Sequence, residues 1–143
     1  MTERYYECPK CHKRTESPPK LQLLDTLLDF PKSIPNCSCG EKQELLMVPR
    51  FALGAGGRSF KVVDAFHESV SWENDGRRVT FYPFLVIAKS TQRDDETFVW
   101  LPSWHVEESK RKFGERAPWM DADVFDGLVA KAHAKGYFKL AGV

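Results

Sequence analysis

The sequence predicts an α+β protein: an N-terminal module built on four cysteines, then a small antiparallel β-sheet or barrel of about five strands with one or two C-terminal helices. Three observations support this prediction. Two close cysteine pairs lie in the first third of the chain, alternating apolar residues flank an Asp-Gly dipeptide in the middle, and a helical apolar pattern follows Asp121. We expect two domains, residues 1–48 and 49–143.

The composition limits the classes of protein that fit. With 42% hydrophobic and 29% charged residues, the chain is close to the average for globular proteins, so disorder throughout is not expected. The 21 basic and 20 acidic residues leave a net charge of +1, which argues against a general polyanion-binding protein. The first residues do not resemble a signal peptide, and no apolar run is long enough to span a bilayer. We therefore expect a cytoplasmic protein that does not contact a membrane.

The cysteines form two pairs, Cys8 with Cys11 and Cys37 with Cys39. Disulfides are rare in a reducing compartment, so paired cysteines there are more typical of metal ligands. A proline within the first pair and a glycine directly after the second favour turns that aim both thiolates at one centre. Four thiolates close a tetrahedral coordination sphere, which indicates one structural Zn²⁺ rather than a catalytic one.

Residues 5–48 resemble a zinc ribbon, and the Cys-Pro-x-Cys knuckle carries that resemblance most specifically. Many zinc ribbons act in transcription and translation, so the resemblance also implies contact with nucleic acid. Three other interpretations compete. The run from Cys8 to His12 fits covalent haem attachment, His12 could replace one cysteine as a ligand, and Cys8 with Cys11 could form a redox pair.

A long insertion, residues 13–36, separates the two cysteine pairs. We expect a short amphipathic helix in it that packs within the protein, and a leucine-rich face of this kind could instead dock in a partner's groove. The predicted apolar face comprises Leu21, Leu24, Leu27 and Leu28, with Asp25 and Asp29 opposite.

The central region predicts strands and one hairpin. Strands are expected at residues 45–48 and 51–53, and the glycine-rich run 54–57 that follows lacks the residues of a phosphate-binding loop. Asp75-Gly76 is a strong signal for a two-residue turn. The resulting register pairs acid with base and apolar with apolar: Asn74 with Arg77, Glu73 with Arg78, Trp72 with Val79 and Val70 with Phe81. The shared apolar face is expected to hold Phe60, Val62, Phe66, Val70 and Trp72.

The remaining elements follow in order. Residues 81–88 are apolar on both faces and predict a central strand, and residues 97–101 predict another after the polar loop 91–95. Charge pairs four residues apart favour a helix over residues 104–113. A final helix is expected between Asp121 as N-cap and a left-handed cap at Gly136. Its buried stripe would be Val124, Phe125, Leu128, Val129 and Ala132.

Few residues suggest catalysis. His67, His105 and His133 are scattered along the sequence, and we expect Asp64, His67 and Glu68 to be solvated surface residues. An enzyme is therefore the third-ranked function class.

Two binding classes rank higher. The first is a non-catalytic zinc-binding module that docks onto a protein partner or larger assembly, and the second is a nucleic-acid-binding protein. The many aromatic residues, 13% of the chain, could serve either class. Basic residues that could accompany them include Arg50, Arg58, Lys61 and Arg116. The predicted contacts for a partner or for nucleic acid are Arg77, Arg78, Lys110, Arg111 and Lys112.

Overall fold

The computed structural model describes residues 2–17, 19–49, 59–92, 96–114 and 118–138. Several predictions concern residues outside these ranges: the strand at 51–53, the glycine-rich run 54–57, the last three residues of the loop 91–95, and Arg50, Arg58 and Arg116. The chain divides into two compact units. Unit 1 comprises Met1–Asp64 and Ile87–Phe98, and unit 2 comprises Ala65–Val86 and Val99–Val143. The predicted boundary at residue 48 stays a prediction.

The first strands of unit 1 form an antiparallel sheet. Strand β1 (Thr2–Glu7) pairs with β2 (Arg14–Glu16) on one side and with β3 (Glu44–Pro49) on the other. The register places Glu7 opposite both Arg14 and Glu44. Leu45, Leu46 and Met47 are all buried, so β3 is covered on both faces.

Helix α1 (Leu23–Leu28) lies in the insertion between the cysteine pairs. Leu24 and Leu27 are buried and Asp25 is exposed, which confirms the amphipathic helix. The predicted apolar face was wrong at Leu21, which precedes the helix and is 41% exposed, and Leu23 is buried in its place. The Ser33 hydroxyl donates to the carbonyl of Thr26 at 2.6 Å and ties the following loop to the helix.

A second strand pair belongs partly to unit 1. Strand β4 (Phe60–His67) begins beside β3, with Phe60 opposite Met47. Phe60 packs with Ala88, and its ring lies 4.6 Å from that of Phe98 in an edge-to-face arrangement. This cluster fixes the start of β4 against the later segment of the same unit. Strands β4 and β6 (Arg77–Ser90) each contribute residues to both units.

The Asp75-Gly76 hairpin is confirmed. Strand β5 (Val70–Asn74) pairs with β6 in the predicted register, with Trp72 opposite Val79 and Glu73 opposite Arg78. Asp75 and Gly76 have φ values of 51° and 76°, so both central residues are left-handed, as a type I′ turn requires. Phe60, Val62 and Phe66 of the predicted apolar face are buried, whereas Val70 and Trp72 are 36% and 42% exposed.

The predicted helix over residues 104–113 is a second hairpin. Strand β8 (Ser103–Glu107) pairs with β6 and with β9 (Lys110–Gly114). The charge pairs that favoured a helix are not made in this register: Glu107 lies opposite Lys110, and Arg111 lies opposite Val106. Packing decides between helix and hairpin: Trp104 is fully buried, and its ring lies 5.1 Å from the Phe113 ring on the adjacent strand. Glu108 makes the turn at φ 53°.

The remaining strand, β7 (Thr97–Trp100), pairs with β6 and was predicted. Residues after 48 that the structure describes therefore contain six strands, β4 to β9, where the sequence predicted about five. Every strand pair with a resolved register is antiparallel. Neither of the described helices is long and apolar enough to cross a membrane.

Helix α2 (Ala122–Ala134) follows the predicted signals at both ends. The Asp121 carboxylate accepts from the amide of Asp123 at 3.0 Å, and Gly136 adopts φ 83° after the last turn. Leu128 and Ala132 are buried as expected. Phe125 was misassigned to the buried stripe, since it is 41% exposed.

A glycine within α2 allows a close approach of Glu68. A Cβ at Gly127 would lie 2.5 Å from the Glu68 Oε1 atom, so any other residue there would require the carboxylate to move. Glu68 in turn forms an ion pair with Lys131 at 3.1 Å, and Lys131 donates to the carbonyl of His67 at 2.7 Å. These contacts attach the helix to the end of β4 within unit 2.

We predict that Gly76→Ala destabilises the protein by about 1 kcal/mol, because a Cβ is strained in the left-handed region. Asp75→Gly is the matched control at the neighbouring turn position, where glycine adopts the same conformation without strain. Urea unfolding of both variants measures the difference. Equal losses of stability would show that the turn conformation is not the cause.

Candidate metal centre and binding surfaces

The first cysteine pair lies in the turn that joins β1 to β2. The Cys8 amide donates to the carbonyl of Lys13 at 3.0 Å, and the His12 amide donates to the carbonyl of Cys8 at 2.9 Å. His12 completes the turn in the left-handed region at φ 63°. The chain thus folds back within a few residues, so Cys8 and Cys11 lie on the same side of the turn.

The second pair lies in a tight loop ahead of β3. The Cys37 amide donates to the carbonyl of Glu41 at 2.7 Å, and the Gly40 amide donates to the carbonyl of Cys37 at 2.9 Å. Gly40 has φ 93°, as expected for the glycine after the pair. Asn36 and Lys42 form an isolated β-bridge that closes this loop. Since β1 and β3 pair up to Glu7 and Glu44, both loops lie at the same end of the sheet.

The four sulfur atoms meet in one cluster. All four Sγ atoms lie within 4.8 Å of one another, with 3.4 Å between Cys8 and Cys39 and 3.5 Å between Cys11 and Cys37. A tetrahedral ion with metal–sulfur bonds of about 2.3 Å needs sulfur–sulfur separations of about 3.8 Å. The cysteines are free of disulfides, and Cys8 and Cys37 are buried. The cluster therefore fits a metal ion with tetrahedral thiolate coordination.

Backbone amides point at the sulfur atoms and influence their protonation. The Cys39 amide donates to Cys37 and, despite burial, lowers the pKa of that thiol to about 6. The Cys11 amide donates to Cys8 at 3.4 Å and lowers the pKa of Cys8 in the same way.

The other two thiols have raised pKa values. The amide of Glu41 opposes this at Cys39, but hydrogen bonding with Cys8 and burial outweigh it and raise the pKa of Cys39 to about 12. At Cys11 the amide of Lys13 is likewise outweighed by the neighbouring thiols, so its pKa is raised. Each close sulfur pair thus combines one thiol of lowered pKa with one of raised pKa. Bound metal would replace the remaining protons.

The donor set limits the metals that fit. Four sulfur ligands in a tetrahedron are typical of Zn²⁺ or of iron–sulfur chemistry. His12, the alternative ligand considered from the sequence, is exposed and does not belong to the group of potential ligands found among the described residues. Four thiolates would fill a tetrahedral coordination sphere and leave no ligand position for a substrate or water.

The predicted basic contacts do not form a single cluster. In a β-strand successive side chains point to opposite faces, and directly paired residues share a face. Arg77 and Arg78 are consecutive on β6, so they point to opposite faces of the sheet in unit 2. The register places Lys110 and Lys112 on the face of Arg77, whereas Arg111 lies on the face of Arg78.

The face of Arg77 also carries exposed aromatic residues. We call this surface the Trp72 face, and it comprises Trp72, Arg77, His105, Glu107, Lys110 and Lys112. A shallow groove of about 500 Å³ runs along it. The His105 ring stacks on Phe81 at 4.7 Å and lies edge-to-face with Trp72 at 6.1 Å. Arg77 forms an ion pair with Glu107 at 3.6 Å.

A second surface in unit 2 was missed from the sequence. Trp119 is 99% exposed and lines a groove of about 410 Å³. The groove and its indole form what we call the Trp119 patch, which comprises Leu101, Trp119, Met120 and Phe125. The sequence signal that could have indicated this surface is a tryptophan between Pro118 and the helix N-cap. Whether that tryptophan is exposed, however, depends on the packing of the neighbouring segments.

The remaining sequence candidates are dispersed. Asp64 was expected to be solvated and is buried, at 8% exposure. His67 is half-buried, and burial followed by the charge of Lys131 lowers its pKa. The His133 Nδ1 atom lies 2.9 Å from the carbonyl oxygen of Phe138. The prediction that the protein is not an enzyme stays a prediction.

Comparisons of the chain with family models, curated proteins and solved structures gave no match. Functional inference therefore rests on the residues of this chain.

We predict that metal-free protein binds one Co²⁺ per chain with the absorption of tetrahedral thiolate coordination, because the sulfur separations fit that geometry. Cys37→Ser should abolish this spectrum, and His12→Ala should leave it unchanged. A spectrophotometric titration under reducing conditions measures both. An octahedral spectrum, or loss of binding in His12→Ala, would contradict the four-cysteine site.

Proposed function

We propose that the protein is a non-catalytic binding module whose N-terminal part is held together by one structural Zn²⁺ and whose Trp119 patch docks onto a protein partner. The four cysteines are the zinc ligands. Free clustered thiols suit a reducing compartment, which makes the cytoplasm the proposed location.

The closed set of four thiolates supports zinc with a structural role. Catalytic zinc sites keep one position for water or substrate, whereas structural sites are filled by protein ligands. Two cysteine turns at one end of the β1–β2–β3 sheet are consistent with a zinc ribbon. Zinc binding in small modules contributes about 10–16 kcal/mol, comparable to the stability of a whole domain.

The exposed Trp119 side chain is the observation that carries the protein-partner proposal. Tryptophan is enriched among the residues that dominate binding energy at protein interfaces, where it fills an apolar pocket of the partner or is covered by it. Here the indole lies beside Leu101 and Phe125, so a partner could bury all three together. Burial of such apolar area contributes about 25 cal/mol per Å².

Charge around the Trp119 patch indicates the chemistry of the partner. Asp121, Asp123 and Asp126 are exposed at the adjacent start of α2. Complementary charge favours correct encounter and disfavours other partners. The proposed occupant is therefore a protein segment that presents an apolar side chain flanked by lysine or arginine.

Protein purified without added metal should contain one zinc per chain. Removal of zinc by a chelator, or the substitution Cys37→Ser, should make residues 2–48 sensitive to protease, because the ligands then no longer hold the two turns together. Ser38→Ala, within the same loop, is the matched control and should keep both zinc and protection. Elemental analysis and limited proteolysis are the measurements. Iron, haem or a trace of metal would contradict the zinc assignment.

Selection of peptides from a random library on the full chain tests the partner surface. Enriched peptides should combine an apolar residue with lysine or arginine, and Trp119→Ala should weaken their binding by roughly thirtyfold, which corresponds to about 2 kcal/mol for an interface hot spot. Trp72→Ala, which removes another exposed indole in unit 2, should leave it unchanged. Self-association in size-exclusion chromatography that depends on Trp119 would show instead that a second copy of the chain occupies the patch.

A further inference from the structure

We propose that the Trp72 face of unit 2 binds short segments of single-stranded nucleic acid without strong sequence preference. This inference goes beyond the protein-partner function and depends neither on the metal nor on the Trp119 patch. It rests on the exposed rings and the unequal distribution of charge that the strand register produces.

The register assembles the Trp72 face from four adjacent strands in the order β5, β6, β8 and β9. One row across the sheet contains Trp72, Val79, Glu107 and Lys110, and the next contains Val70, Phe81, His105 and Lys112. Adjacent strands lie about 4.8 Å apart, so each row spans about 14 Å from β5 to β9. Trp72 thus lies on one edge strand of the face and the two lysines on the other, with His105 on β8 directly opposite Lys112.

Two rings on the face are accessible to a stacking partner. Trp72 is 42% exposed, and His105 is exposed above the buried ring of Phe81. Partial burial, followed by the charge of Lys112, lowers the pKa of His105, which favours the uncharged ring. Antiparallel sheets with exposed aromatic side chains are a common platform for unpaired bases.

The charges on this face suit a phosphate backbone. Arg77, Lys110 and Lys112 contribute three positive charges, and Glu107 contributes one negative charge through its ion pair with Arg77. Among the residues that the structure describes, Lys110 and Lys112 have no ion-pair partner. The local excess contrasts with the net charge of +1 for the whole chain, and it lies beside the rings where phosphates of a stacked strand would pass.

Base pairing determines which form of nucleic acid fits. In a duplex the base faces are covered by their neighbours, so Trp72 and His105 would find no surface on which to stack. An unpaired strand offers every base face, and stacking on aromatic rings is tolerant of sequence. An acidic peptide could satisfy the lysines, but it would leave the two rings without planar partners.

The test is a titration of the full chain against a fluorescently labelled twelve-nucleotide oligothymidine, followed by anisotropy. A duplex of the same length and an oligoglutamate peptide are compared at 50 and 200 mM salt. The single strand should bind most tightly. If the three cations each neutralise one phosphate, affinity should fall roughly 20-fold between the two salt concentrations.

Variants on the two faces locate the site. Trp72→Ala should weaken single-strand binding at least about fivefold through lost stacking. Lys112→Gln should weaken binding and reduce the logarithmic salt slope by about 0.7.

Arg111→Gln and Arg78→Gln remove the same charge from the opposite face and should leave affinity within about twofold, as should Trp119→Ala. Circular dichroism shows whether each variant is folded. If Trp72→Ala does not fold, Lys112→Gln still tests the face, because it alters only an exposed side chain.

Four results would overturn the proposal. The first is no binding of the single strand at high micromolar protein and 50 mM salt. The second is binding of duplex as tight as that of the single strand, and the third is equal binding of oligoglutamate, which would indicate a general surface for acidic partners. The fourth is an equal effect of Lys112→Gln and Arg78→Gln, which would show that the contact is not confined to this face.

Discussion

The structure of unit 1 depends on bringing together two cysteine pairs that are separated by the whole α1 insertion. Pairing of β1 with β3 accomplishes this, because it aligns the turn after Glu7 with the loop before Glu44. Four sulfur atoms then face one another at distances that suit a shared cation better than separate thiols. The sheet and the cluster support each other: the sheet positions the sulfurs, and a bound ion would restrain both turns. The insertion can contain a helix because its two ends are already fixed.

Local signals predicted the elements whose chemistry permits few alternatives. Asp75-Gly76 determined a hairpin register because these two residue types adopt the left-handed backbone conformation with little strain, whereas most other residue types rarely adopt it. The ends of α2 followed from Asp121 and Gly136 for similar reasons. The pairing of Cys8 and Cys11 with Cys37 and Cys39 as one cluster also followed from spacing and residue type alone.

The elements that sequence reasoning missed depend on long-range packing. Residues 104–113 contain favourable charge spacing for a helix, yet the burial of Trp104 against Phe113 across two strands outweighs such pairs, each of which contributes only about 0.2–0.5 kcal/mol. The turn at Glu108 contains neither glycine nor asparagine, the residues that usually indicate such a turn in a sequence. The exposure of Trp72 and Trp119 could not be predicted from the sequence either, because a tryptophan in a sequence gives no indication of which neighbours will cover it.

The alternation of charge along β9 has a consequence for how this protein tolerates change. Lys110 and Lys112 share a face only because a strand repeats every two residues, and Arg111 between them points away. Point substitutions would therefore adjust the charge of either surface gradually. Insertion or deletion of a single residue in the Glu108 turn would instead exchange the two surfaces at once, placing Arg111 where the lysines had been. Variation in the length of this short turn should be far more restricted than variation in its composition.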